Sequence, residues 1–119
     1  MKTNLKSNEN SIHLGSRTQL LPRKILMLKA DINYTEVFLT DGTKLLSSTT
    51  MGIIEKRLED YNFFRANRST IINLQYLDKD ETIKELCSNL LIHTGKKREA
   101  VSIKISRRRK ATFLAIINP

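Results

Sequence analysis

Residues 34–42 set the strongest local constraint on the fold. Residues 34–40 alternate, so Thr35, Val37 and Leu39 face one side of a strand and Glu36, Phe38 and Thr40 the other. The strand runs into Asp41-Gly42, a two-residue hairpin signal, because glycine tolerates the positive φ that a type I′ turn requires. Residues 43–46 are then the return strand. A chain with this unit must build an antiparallel sheet and find further strands to complete it.

The rest of the sequence supplies them. Residues 12–14 and 18–21 read as short strands around Gly15-Ser16, and residues 24–29 as an apolar strand with Ile-Leu-Met-Leu at its centre. A helix follows the hairpin. Ser48, Thr49 and Thr50 offer N-caps, and Met51, Ile54, Leu58 and Tyr61 recur on one helical face. Residues 63–66, 70–72 and 74–77 read as short strands. Residues 82–86 and 90–94 read as a pair across the loop Cys87-Ser88-Asn89, Gly95 makes a turn, and residues 100–103 form a last strand. Ser106 caps a terminal helix through Ile117, with Phe113, Leu114 and Ile117 on its apolar side, and Asn118-Pro119 ends it. The expected class is mainly β: short antiparallel sheets with one short internal helix and a short C-terminal helix. Residues 1–11 read as a flexible tail and 12–119 as one domain, the size expected of a 119-residue chain.

Charge narrows the partner. Twenty-one Lys and Arg oppose twelve Asp and Glu, a net charge of +9. Residues 96–110 alone hold +7 of it, in Lys96, Lys97, Arg98, Lys104, Arg107, Arg108, Arg109 and Lys110 against Glu99. Such a patch favours nucleic acid, an anionic membrane or an acidic protein. A solvated basic face is the bland alternative. However, helix dipoles disfavour cations at an N-terminus, so three arginines after Ser106 imply an anion that compensates. Guanidiniums there can fork onto phosphate or onto guanine O6 and N7. Arg65 and Arg68 form a second basic focus, whereas residues 78–85 are acidic on balance and point away from the partner.

Other classes find no support. Cys87 is alone, so no disulfide within the chain is possible, and no Cys/His cluster has metal spacing. His13 and His93 lack partners for acid–base work, and no phosphate loop, nucleophile elbow or paired carboxylates occur. No cofactor is expected and an enzyme is not indicated. No secretory signal or apolar run of membrane-span length is present, and the expected location is cytoplasmic.

The segment Phe63-Phe64-Arg65-Ala66-Asn67-Arg68-Ser69-Thr70-Ile71-Ile72-Asn73 resembles the signature of LytTR-type DNA-binding domains, which reads F-x-R-x-H-R-S-aromatic-aliphatic-aliphatic-N. Residues 25–30 resemble the strand I-x-[YF]-I-E-A. Asn33-Tyr34 with Val37, Leu39 and Asp41-Gly42 resembles the hairpin that follows, residues 50–58 its helix, and Ser106-Arg107-Arg108 the closing S-R-R. The five pieces fall in order along the chain, and the match as a whole covers about residues 20–114.

The resemblance implies an elongated β-β-β arrangement whose loops, not a recognition helix, enter successive major grooves of double-stranded DNA. It also implies direct-repeat sites, bending, a monomer free in solution and two protomers on DNA. By position it implies base contacts from Tyr34, Arg68 and Arg108. It implies phosphate contacts from Lys29, Asn33, Asn67, Ser69, Arg107 and Arg109. Asn67 stands where the family has His, Thr70 replaces an aromatic and Lys29 a Glu, which alters the preferred site more than binding itself. From the residues alone, Arg65 and Asn73 read as braces of the fold, and Arg68 has a structural alternative in an ion pair with Glu59 or Asp60.

Such domains usually follow the receiver of a bacterial two-component response regulator, which residues 1–20 cannot hold. The chain thus reads as a stand-alone regulator or a piece of a larger one, its start at Met1 favouring the former. The competing reading is a small basic β-barrel that binds RNA or the ribosome. Such a protein typically exposes aromatic stacking platforms, and here no Trp, three Tyr and four Phe are available, most of them in apolar patterns. A third reading, a domain that docks an acidic protein, rests on charge alone.

Overall fold

The computed structural model describes residues 11–15, 18–84, 89–93 and 100–117. The expected tail, Ser16, Cys87 and Ser88, the Gly95 turn, the cations Lys96, Lys97 and Arg98, and the Asn118-Pro119 end lie outside the described residues.

Three antiparallel sheets stack in layers. The first is a small hairpin of β1 (Ile12–His13) and β2 (Gln19–Leu20). A 3-10 turn, Pro22–Lys24, leads into β3 (Ile25–Asp31), β4 (Tyr34–Leu39) and β5 (Lys44–Ser47). Helix α1 (Met51–Arg57) precedes β6 (Phe63–Asn67) and β7 (Thr70–Asn73). These five strands form the central sheet in the order β5-β4-β3-β7-β6. A 3-10 turn (Leu74–Tyr76), α2 (Lys79–Lys84), the pair β8 (Asn89–His93) and β9 (Ala100–Lys104), and α3 (Arg107–Ile117) complete the chain.

The central sheet is apolar on both faces, which explains the unbroken Ile-Leu-Met-Leu run of β3. On one face Ile25, Leu28, Val37 and Ile71 pack with Ile12, Leu14 and the α1 residues Met51 and Ile54. On the other, Met27, Phe64 and Ile72 pack with Leu90, Ile92 and Ile103 and with Phe113 and Ile117 of α3. Side chains of β4 alternate as its sequence requires: Val37 and Leu39 join the first core, Phe38 the second. Buried Thr35 donates its hydroxyl to the Thr49 carbonyl at 2.8 Å, which ties β4 to the start of α1.

Three expectations need correction. Residues 74–77 do not form a strand: the Asn73 side chain accepts the Gln75 N–H at 2.9 Å and starts a 3-10 turn instead. Among the described residues, 82–84 do not pair with 90–93, and 85, 86 and 94 lie outside them. Asp78 accepts the Glu81 N–H through its carboxylate at 3.0 Å and the Thr82 N–H through its carbonyl at 3.0 Å, and Asp80 and Glu81 suit the first turn, so Lys79–Lys84 is a second internal helix. Strand β8 pairs with β9 instead. Finally, α1 closes at Leu58, whose N–H bonds Ile54 and Glu55 carbonyls, so Tyr61 is buried beyond the helix rather than on it.

Candidate nucleic-acid interface

One end of the central sheet gathers three segments far apart in sequence. The β3–β4 turn lies there, with Asp31 opposite Tyr34. Beside it lies the β6–β7 turn: Lys29 is opposite Thr70, and the Ala30 N–H donates to the Ser69 carbonyl at 2.9 Å. The start of α3 completes the group, because the Ser106 N–H donates to the Ala66 carbonyl at 2.9 Å. Residues 31–34, 67–69 and 106–109 are therefore neighbours. All the expected contact residues lie in these segments, save Lys29, two positions earlier in β3.

The β6–β7 turn is built by its own side chains. The Asn67 amide donates to the Lys104 carbonyl at 2.6 Å, and its oxygen accepts the Ser69 N–H at 2.9 Å and hydroxyl at 3.2 Å. Arg65, half-buried, pairs with Glu55 at 2.8 Å and donates to the Asn67 and Arg68 carbonyls. It braces the turn, as its residue type and position lead one to expect. Asn67 and Ser69 turn towards each other. Arg68 stands exposed between them, its side chain without a partner among the described residues, and it makes no ion pair with Glu59 or Asp60 there.

Arginines at the start of α3 divide in the same way. The Arg109 guanidinium lies 5.1 Å from the centre of the Phe64 ring and donates through Nε to the Arg65 carbonyl at 3.0 Å. That arrangement combines a cation–π contact with an anchor. Arg107 and Arg108 are exposed and have no side-chain partner among the described residues. The first turn of α3 holds no acid to offset them or the positive helix end. A groove of about 740 Å³ is lined by residues of both segments, among them Arg68 from the β6–β7 turn and Arg108 and Arg109 from α3. A second hollow of about 480 Å³ lies on the other side of Asn67, lined by Ser69, Lys104 and Arg107. Arg68 and Arg108 thus share one concavity while Arg107 borders the next.

The β3–β4 turn is different in kind. Tyr34 is 48% exposed and Asn33 is exposed. Lys29 is drawn back onto the sheet, its ammonium 5.9 Å from the Phe38 ring. Ile32 lies between them with φ 53°, where only the first central residue of the turn is positive. No sequence reading singled it out. The available signal was a β-branched residue in a two-residue turn, where glycine or asparagine is expected.

Among the described residues no cluster of three or more His, Cys, Asp or Glu could hold a metal ion, and no helix is long and apolar enough to cross a membrane. Among the described residues, three antiparallel sheets carry exposed arginines at one end, Arg68 on a turn and Arg107 and Arg108 in the first turn of α3, which defines a basic, β-rich domain. The sequence matches the family model of the LytTr DNA-binding domain over residues 15–118. The chain belongs to that family, and its function at that level is DNA binding in transcription regulation. Its fold is similar to a solved LytTr DNA-binding domain of a methyl-accepting/DNA response regulator from Bacillus cereus. The TM-score is 0.64 at 16% identity, over 92% of this chain and 97% of that one. No curated protein sequence matches it closely.

Proposed function

We propose that this domain recognises particular sequences in duplex DNA by placing its loops in successive major grooves. The observation that carries this reading is the division of labour among the arginines at one end of the sheet. Arg65 and Arg109 are tied into the fold, while Arg68 and Arg108, from different segments, line the same groove with no side-chain partner among the described residues. A guanidinium held at its base but free at its tip suits bidentate contact with guanine. Arg68, Arg108 and Tyr34 read bases. Arg107, Asn33 and the outer nitrogens of Arg109 meet phosphates, and Lys29 adds charge behind them. Asn67 and Ser69 serve the contact chiefly by fixing the loop that carries Arg68. Two protomers side by side on a direct repeat would bend the duplex between them.

Selection of preferred duplexes from a random pool tests this. Recovery of a direct repeat about one helical turn apart, bound with strong salt dependence, is the expected result. On the recovered site Arg108→Ala relaxes base choice, whereas Arg107→Ala weakens all duplexes alike. Equal affinity for single-stranded RNA would overturn the reading. Among the large apolar side chains that stand exposed in the described residues, Tyr34 is the sole aromatic, which gives single strands little to stack on.

A further inference from the structure

The β3–β4 turn is the part of this end that its cations do not explain. Asp31 and Tyr34 pair across it and leave Ile32 and Asn33 as the central residues. Ile32 has φ 53°, the one positive φ at a non-glycine residue among those described. A β-branched side chain there crowds its own backbone, and glycine or asparagine would relieve it. Burial does not compensate. Ile32 is 93% exposed, the most exposed of the large apolar side chains described. Folding alone therefore gives no reason for isoleucine at this place.

Charge separates the turn from its neighbours. Residues 31–34 hold one acid, Asp31, and no base, whereas residues 67–69 and 106–109 hold four arginines. Asn33 can donate to a single phosphate as a neutral amide, but a turn laid along the backbone would carry cations, and the Asp31 carboxylate there would be repelled. The tip is suited instead to base edges. An apolar, branched side chain finds one natural partner on a base edge of the major groove, the C5-methyl of thymine. Cytosine, which also has a C5 position there, carries hydrogen in its place.

We propose that Ile32 is a specificity-determining residue that packs against a thymine methyl in the major groove. On this left-handed backbone the side chain is 93% exposed and so open to a base edge. This inference rests on the reading of this end as a duplex-DNA interface, and it names a base feature to which no arginine responds.

The test is a scan of a duplex selected by the wild-type protein, with each thymine replaced singly by deoxyuracil, which removes the methyl group alone. At one position in each half-site the wild type is expected to lose about four-fold in affinity, the value for one buried carbon group. At that position Ile32→Gly and Ile32→Asn bind the thymine and uracil duplexes equally. Both variants also unfold at a higher temperature than the wild type, which separates lost discrimination from damaged folding. A wild type indifferent to every uracil, or an Ile32→Gly protein that keeps the thymine preference, overturns the proposal while the interface reading stands. Uracil-insensitive binding in which Ile32→Gly abolishes DNA bending would instead mark Ile32 as a wedge between base steps and equally overturn the methyl contact. A wild type that prefers no duplex overturns the interface reading and this inference with it.

Discussion

Strand β4 is entered through one turn and left through another, and the two are made on opposite terms. At the far end Gly42 takes the positive φ, 90°, and the Asp41 carboxylate accepts both the Thr43 N–H at 2.9 Å and the Thr43 hydroxyl. Every residue suits its backbone. At the near end the positive φ falls on Ile32, exposed and β-branched. The same contrast extends across the sheet. Lys44 at the far end is paired with Glu36 at 2.9 Å, while Arg68 and Arg108 at the near end are left without partners among the described residues. Where local chemistry and backbone agree, folding is reason enough for the sequence. Where they disagree, the reason lies outside the chain.

The largest test of this contrast is in binding. Arg108→Ala should cost about 1–3 kcal/mol on a preferred duplex, while Lys44→Ala leaves affinity unchanged, both measured by titration at fixed salt. Equal losses from the two would erase the distinction between the ends.

Stability comes next. Asn67→Ala removes three hydrogen bonds and should cost about 1–2 kcal/mol in denaturant melts, with a drop in binding beyond that of the unfolded fraction because Arg68 loses its mount. Affinity that tracks only the folded fraction would mean that the loop needs no such mount.

Exchanging the logic of the two turns gives effects of opposite sign. Gly42→Ile should destabilise by about 1–2 kcal/mol, the cost of a left-handed backbone for a β-branched residue. Ile32→Gly should stabilise by somewhat less, because glycine also gains freedom in the unfolded chain. Two losses instead of one loss and one gain would show that Ile32 is needed by the fold.

The smallest effect is one of pH. Hydrogen bonds from Thr43 hold the Asp41 carboxyl below its ordinary value of 3.8. A lowered folded value means that the carboxylate stabilises above the ordinary value and that this contribution is lost as pH falls through the folded one. The wild type should therefore be slightly more stable than Asp41→Ala near neutrality and lose that margin on acidification, as thermal melts across the range would register. A margin independent of pH would place the effect in the turn's shape rather than its charge.

Much of this was legible in the residues. The alternation of β4, the apolar run of β3 and a turn at Asp41-Gly42 are local patterns, and local patterns survive folding. The turn itself has three residues, 40–42, between paired Leu39 and Thr43, with a positive φ at Gly42 but not at Asp41, rather than the expected two-residue type I′ form. The segments with Arg68 and Arg107 to Arg109 also announce themselves by charge. What was not legible depends on partners distant in sequence. Asn67 reads as a surface amide ready for a phosphate until Lys104, 37 residues later, supplies the carbonyl that holds it. Asn73 reads as a cap or a backbone hydrogen-bonder, yet residues 74–77 still read as a strand, because the turn it starts is fixed only by its burial, where its amide donates to the Ile25 carbonyl at 2.9 Å. Ile32 escaped notice because an isolated isoleucine is ordinary until its φ is known.

Three ties cross from the end of β6 to the joint between β9 and α3: Ser106 to Ala66, Asn67 to Lys104, and Arg109 to Arg65. Together they make the β6–β7 turn and the start of α3 a caliper with its jaws set. A caliper does not adjust to what it measures. On the proposed reading, a duplex gripped by both jaws would have to meet their spacing, and mismatch would be absorbed by the DNA, whose stiffness varies with sequence. The domain could then discriminate among sites by how readily they yield, at base pairs that none of its side chains reach.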